Sequence, residues 1–319
     1  MGFGDAGVYV ALSRGDGTFD YTPAPVVGDL GYVNGGWRVD RHPRLLGDLT
    51  GEGRADVVGF GDAGVYVALS RGDGTFDYTP APVVGDLGYV NGGWRVDRHP
   101  RLLADVTGNG RADIVGFGDH GVWVALSRGD GTFEPPRLVI PDFGYVAGGW
   151  RVDRHPRFLA DLRGIGRADI VGFGDAGVYV ALSRGDGTFD YSPQPVIGDL
   201  GYVNGGWRVD RHPRFLADLR GIGRADIVGF GDAGVYVALS RGDGTFDYTP
   251  QVRLADFGYA EGWRVDRNPR LLAQLTATGR ADIVGFGDVG VRTSLSNGDG
   301  TFAPKRLAAP DFGFEVRSW

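Results

Sequence analysis

The sequence predicts an all-β fold, a β-propeller of four-stranded antiparallel blades, on three observations. Trp37, Trp94, Trp150, Trp207, Trp263 and Trp319 stand 57, 56, 57, 56 and 56 residues apart. A Gly-Phe-Gly-Asp marker starting at Gly2, Gly59, Gly116, Gly172, Gly229 and Gly285 keeps step with them. Each unit of about 57 residues holds four short apolar runs separated by Gly/Asp turns, with no helical period. Four-stranded sheets repeated about an axis make a propeller, and a fixed period of this length is its sequence signature.

One unit illustrates the rest. Pro43 to Leu49 reads as a first strand, with Leu45 and Leu46 apolar. A turn cluster runs from Asp48 to Asp56. Val57 to Phe60 is a second strand, and Gly61-Asp62-Ala63-Gly64 turns the chain. Val65 to Leu69 is a third strand, apolar on both faces, as expected of a sheet stacked on both sides. Ser70 to Thr75 turns again, and a weaker fourth strand runs from Phe76 to near Val84. A long connector, Gly85 to Arg98, leads to the next unit. Antiparallel strands alternate in direction, so the turn after the second strand and the connector share one side. The turn after the first strand shares the other side with the turn after the third.

The third and fourth strands recur six times and the Pro-Arg-Leu-Leu type strand five times. Five complete blades and one partial blade are therefore expected, within a single domain spanning 1–319. Residues 2–46 and 59–103 are identical, which points to recent duplication or deliberate engineering.

Composition excludes several function classes. Net charge is −7, with 33 basic and 40 acidic residues interspersed and no basic block, so nucleic acid is not expected as a partner. Cysteine is absent, so no disulfide framework or thiol chemistry is available. No apolar run approaches membrane-spanning length, and no signal peptide precedes the first repeat. The 58 glycines fall at fixed places in the unit and mark turns, not disorder.

The run from Ala104 to Asp119, Ala-Asp-Val-Thr-Gly-Asn-Gly-Arg-Ala-Asp-Ile-Val-Gly-Phe-Gly-Asp, resembles the FG-GAP/VCBS repeat of integrin-type propellers. With Gly-Gly-Trp-Arg-Val-Asp-Arg-His-Pro added, the chain is similar to the Psathyrella velutina lectin family along its whole length. That resemblance implies a secreted, extracellular propeller lectin for N-acetylglucosamine and related sugars. It further implies repeated sites between neighbouring blades and calcium in some repeat loops. The family norm is seven blades, and this chain departs from it. A missing inner strand would leave an edge that invites oligomerisation.

The connector is the first candidate site. Sugars offer hydroxyls and an apolar C–H face, which proteins meet with aromatic rings and planar polar groups. The first copy supplies Tyr32, Asn34, Trp37, Arg38, Asp40 and His42, and the second Tyr89, Asn91, Trp94, Arg95, Asp97 and His99. The third has Tyr145, Trp150, Arg151, Asp153 and His155, with Ala147 in place of Asn. The fourth has Tyr202, Asn204, Trp207, Arg208, Asp210 and His212. The fifth is one residue shorter and carries Asn268 instead of His. Graded occupancy is expected, strongest at the three copies that keep Asn. The plainer alternative makes each Trp a wedge between blades and each Asp-Arg a simple ion pair.

The Asp loops are the second candidate. Asp48, Thr50, Glu52 and Asp56, and likewise Asp105, Thr107, Asn109 and Asp113, present oxygens at a spacing a hard cation such as calcium accepts. In the third and fourth loops Arg163, Ile165, Arg220 and Ile222 remove those donors, so calcium is expected at one or two loops only. The alternative is a Gly-rich turn whose carboxylates accept backbone N–H groups. Arg14-Gly15-Asp16 and its copies sit in tight hairpin turns, which accounts for them without adhesion. Every promising group is duplicated, whereas a catalytic site assembles different residues at one place, so no enzyme is expected. Two function classes follow: a multivalent lectin, and a calcium-stabilised, integrin-like protein-interaction propeller without sugar specificity.

Overall fold

The computed structural model describes residues 1–315, so Trp319 and its place in the repeat lie outside the described residues. Among the described residues there are strands and turns and no helix, hence none long and apolar enough to cross a membrane. Five four-stranded antiparallel sheets form propeller blades, each pairing its strands in chain order. The first blade comprises Arg44–Gly47, Asp56–Phe60, Val65–Ser70 and Phe76–Tyr78. The second comprises Arg101–Ala104, Asp113–Phe117, Val122–Ala125 and Arg137–Ile140. The third and fourth run from Arg157–Ala160 to Phe189–Tyr191 and from Arg214–Ala217 to Phe246–Tyr248, and the fifth from Arg270–Ala273 to Arg306–Ala309.

The partial N-terminal unit is not one sheet. Gly2–Phe3 pairs Val8–Tyr9, and Ala11–Ser13 pairs Phe19–Tyr21, as two separate two-stranded sheets. The fourth strand also differs from expectation: Phe76–Tyr78 ends early, and Val84 makes only an isolated bridge to Val65. Thr79 to Pro82 break the ladder because two prolines there lack donors.

The chain divides into two compact units, Met1–Val152 with Gly185–Thr188, and Asp153–Arg184 with Phe189–Trp319. In the first, one cluster packs Val58, Phe60 and Val65 of the first blade with Trp94, Ile114 and Phe133. In the second, Phe173, Val178, Trp207, Ile227 and Phe246 do the same for the third and fourth blades. Burying each such side chain contributes about 1.5–3 kcal/mol. The Gly-Phe-Gly motif has a steric cause here. A Cβ on Gly116 would stand 2.6 Å from the Trp94 ring, so the indole packs flush on backbone only where glycine sits.

Blades are also tied by polar groups. The Ser127 hydroxyl donates to the Leu49 carbonyl at 2.8 Å, and Ser240 to Leu162 at 2.7 Å. Such bonds fix the stagger of one sheet on the next, which hydrophobic packing alone leaves loose.

Candidate functional site

Each connector begins with a strained turn. Asp86 accepts the Leu87 N–H at 2.6 Å, and Leu87 takes φ 63° while fully buried. A large L-residue in the left-handed region costs about 1–2 kcal/mol. The neighbouring strand holds it there: Arg101 Nη1 donates to the Leu87 carbonyl at 3.0 Å. That guanidinium is itself buried, over the Phe60 ring at 5.2 Å, and burial lowers its pKa to about 10. The turn recurs at Leu30, Phe143, Leu200 and Phe257, so the strain is built into every copy.

The connector then docks on the blade it leaves. Tyr89 N–H donates to the Gly61 carbonyl, and Val90 and Asn91 N–H both donate to the Asp62 carbonyl. The connector and the turn after the second strand do share one side, as alternating strand direction requires. Its far end docks on the blade it enters: His99 Nε2 lies 3.0 Å from Asp119 Oδ1.

The histidine tautomer follows from its two partners. His99 Nδ1 accepts the Arg95 backbone N–H at 3.1 Å, so Nε2 carries the proton and donates to Asp119. His42 and His212 make the same two bonds, to Asp62 and Asp232. Burial pushes His99, His155 and His212 below the usual imidazole range, against the pull of their aspartate partners. In the fifth copy Asn268 Oδ1 accepts the Arg264 N–H at 3.2 Å, and Nδ2 donates to Asp288 at 2.9 Å. Asn268 therefore reproduces a neutral histidine's donor and acceptor.

The predicted residues separate into two groups. Trp94 and His99 line a cleft of about 270 Å³ with Asp86, Gly92, Gly118, Asp119, His120 and Trp123. Trp207 and His212 line its counterpart in the second unit with Asp199, Asp232, Tyr236 and Tyr248. Trp263 and Asn268 line a third with Asp288, Arg292 and Lys305. Trp37 and His42 occupy the same positions in the first connector, with ring centroids 5.5 Å apart. Trp94, Trp207 and Trp263 are both wedge and wall: each is about nineteen-twentieths buried, yet borders its cleft.

The other predicted residues hold the connector's shape. Asn34, Asn91 and Asn204 donate to the carbonyls of Ala6, Ala63 and Ala176, each at 3.1 Å. Arg38, Arg95 and Arg208 donate to the carbonyls of Tyr32, Tyr89 and Tyr202 and lie over those same rings. A second guanidinium also lies near each ring, Arg41 at 5.0 Å from Tyr89 and Arg154 at 5.0 Å from Tyr202, so these tyrosines are already partnered by cations. Asp40, Asp97, Asp153 and Asp210 are exposed, and the first three lie against the following arginine. In the third connector, Arg151 donates to Tyr145 O at 2.6 Å and Trp150 Nε1 to Asp142 at 3.0 Å in the first unit. In the second unit His155 pairs Asp175 at 3.0 Å.

Reading the residues alone missed the aspartates. Asp86 and Asp119, with their copies, supply the acceptors of the cleft. Both recur in every unit, which was the available signal. They stood inside turn motifs whose backbone role accounts for them equally well. The ring of Tyr66, Trp123 or Tyr236, two residues after the glycine that closes the turn (Gly64, Gly121 or Gly234), was hidden inside an ordinary strand pattern.

The Asp loops face other partners. Asp48 accepts N–H groups from Thr50, Gly51, Glu52 and Gly53 at 3.2, 2.7, 3.3 and 2.6 Å. Asp105 is bonded likewise by Thr107, Gly108, Asn109 and Gly110. Asp56 accepts from Leu49 and Ser70, Asp113 from Val106 and Ser127, and Glu52 pairs with Arg54. In this arrangement the Asp48 and Asp105 carboxylates are taken up by backbone N–H groups. Among the described residues no cluster of three or more His, Cys, Asp or Glu side chains is placed to hold a metal. In the third and fourth loops a guanidinium enters instead: Arg163 meets Asp169 at 2.7 Å and Arg220 meets Asp226 at 2.6 Å. The Arg-Gly-Asp turns are likewise closed on themselves. Asp73 accepts from Thr75, and Arg71 pairs with Asp77.

Fold and cleft together define a β-propeller with repeated connector pockets. No protein-family model matches the chain, and no curated protein matches it. A solved Agrocybe aegerita lectin, described as specifically recognising non-reducing terminal N-acetylglucosamine, is 50% identical. The match covers 98% of this chain and 77% of that one, with a TM-score of 0.93. The chain belongs to the family of that lectin. A Photorhabdus luminescens Tc holotoxin pore is far more distant, at 19% identity and TM-score 0.48 over 87% of this chain and 12% of that one. The V. cholerae biofilm matrix protein Bap1 is at 14% and 0.34, over 86% and 39%.

Proposed function

We propose that the chain is a multivalent, non-enzymatic lectin, a single propeller domain akin to the Psathyrella velutina type. It takes a terminal N-acetylglucosamine at the connector pockets within each unit, between one blade and the next. The observation that carries this is the repeated lining: Asp86, Trp94, His99 and Asp119 recur as Asp199, Trp207, His212 and Asp232. Carboxylate oxygens accept sugar hydroxyls, and the indole edge meets an apolar C–H face or an acetyl methyl group. A cleft of about 270 Å³ suits one sugar ring. The family relative's recognition of a non-reducing terminus supports the same choice. Several weak sites on one rigid scaffold gain avidity on a glycan-bearing surface, by about two to four orders of magnitude.

Partners are accordingly glycans or glycoproteins in an extracellular setting, with no nucleic acid and no membrane insertion. Exposed Leu12, Phe19 and Tyr21 on the N-terminal sheets favour association with a further strand or copy. Calcium enters only at the first two Asp loops, and there it must displace the N–H groups held by Asp48 and Asp105. A glycan array tests the whole reading. Signal concentrated on glycans ending in N-acetylglucosamine, and abolished by the free sugar, is expected. Binding that ignores free sugar and follows unglycosylated protein instead would leave the integrin-like alternative.

A further inference from the structure

Residues 28–46 and 85–103 have one sequence, so the first and second connectors bring the same side chains to their pockets. The blades they lead into differ. The first offers Ala63, Tyr66 and Tyr78, and the second His120, Trp123 and Pro135. Tyr78 donates its hydroxyl to Asp29 Oδ2 at 2.7 Å, and burial and that carboxylate both keep the phenol protonated. Pro135 takes the place of Tyr78 in the chain: Phe133 bridges Ser127 as Phe76 pairs Ser70, and two residues further on a proline replaces the phenol.

Elsewhere the same carboxylate oxygen is engaged. Tyr248 donates to Asp199 Oδ2 at 2.6 Å, and Lys305 Nζ lies 2.6 Å from Asp256 Oδ2. Asp86 stands apart. Its Oδ1 holds the Leu87 N–H, and among the described residues no donor reaches Oδ2, although the side chain lines the cleft.

We infer that the second connector pocket binds sugar more tightly than the first, fourth and fifth. Asp86 Oδ2 accepts a ligand hydroxyl there, and Trp123 and His120 replace Tyr66 and Ala63 as its outer wall. This rests on the lectin reading. In the first and fourth pockets a ligand hydroxyl shares the carboxylate with a tyrosine, and in the fifth with an ammonium. In the second it meets an uncommitted anionic acceptor, and a hydrogen bond to a charged group raises affinity about tenfold to a hundredfold.

The experiment is a titration of the full chain, labelled with 5-fluorotryptophan, with N-acetylglucosamine, followed by fluorine NMR. Trp94 and Trp123 report the second pocket, Trp37 the first and Trp207 the fourth. Trp94 and Trp123 should saturate at a sugar concentration about tenfold or more below that for Trp37 and Trp207. Pro135→Tyr, which installs the residue that the first, third and fourth blades carry, should bring Trp94 to the concentration seen for Trp37. Asp86→Asn, which keeps an acceptor for the Leu87 N–H, should weaken the second pocket alone. The unbound positions of the other tryptophan signals check that each variant is folded. Trp94 and Trp37 titrating together in the parent chain overturns the inference, as does a second pocket indifferent to both substitutions. If no tryptophan signal responds to the sugar, the lectin reading falls with it.

Discussion

Residues 2–46 and 59–103 share one sequence and take two structures. In the later copy Gly59 and Phe60 belong to a strand paired on both sides, by Arg44–Gly47 and Val65–Ser70. In the earlier one Gly2–Phe3 pairs only Val8–Tyr9. Phe76 is 9% exposed in a cluster with Val8, Trp37 and Val57, whereas its copy Phe19 is 61% exposed. Leu12 is 42% exposed and Leu69 half-buried. The local preferences are the same, so the difference comes from neighbours: a first strand delivered by the previous repeat, and a preceding blade to pack on. Stability in such arrays is a sum of weak units and the interfaces that join them.

Truncating the two copies gives the largest expected contrast. Phe76→Ala should cost about 3–4 kcal/mol and Phe19→Ala under about 1 kcal/mol, read by urea denaturation. Equal costs would mean that the N-terminal sheets are packed as the first blade is.

A second contrast lies just past the duplicated stretch, where the Asp loops diverge. Burial pushes Asp113 up to about 6, although two N–H groups favour its charged form. Its folded-state pKa exceeds the unfolded value, so its neutral form favours folding at low pH. Stability is lost as pH rises from about 4 through about 6, on the order of 3 kcal/mol in all. Thr107→Arg, copying the guanidinium that Arg163 gives Asp169, should flatten that slope when unfolding is compared at several values across the window. A slope unchanged by the arginine would show that Asp113 is not its source.

The smallest contrast concerns two identical tyrosines. Tyr89 has both Arg95 and Arg41 over its ring, whereas among the described residues Tyr32 has Arg38 alone. Arg41→Ala should cost about 0.5–1 kcal/mol and shift the ring resonances of Tyr89 but not those of Tyr32.

How much could be read beforehand follows the same division. The period of Trp37 and its copies, and the Gly/Asp turns, foretold the blades because those features repeat whatever surrounds them. Strand parity placed the connectors beside the turns after the second strands, and the Asp62 and Asp119 contacts agree. Individual roles were harder. Tyr89 and Arg95 have the composition of a sugar platform, but they satisfy one another, and only coordinates reveal a cation over a ring. Asp86 reads as a turn residue because it is one, and its side chain lines a cleft only after the chain folds back from a distant strand. The split of the N-terminal unit into two sheets was equally hidden, since its residues match those of a complete blade.

A crystal soaked with N-acetylglucosamine tests the central claim most directly. Sugar bounded by Trp94, His99 and Asp119, with the Asp86 carboxylate on a hydroxyl, is the predicted result. Sugar on the Asp-loop side, or on the outer faces of the Tyr89 and Arg41 stack with the clefts empty, would contradict it.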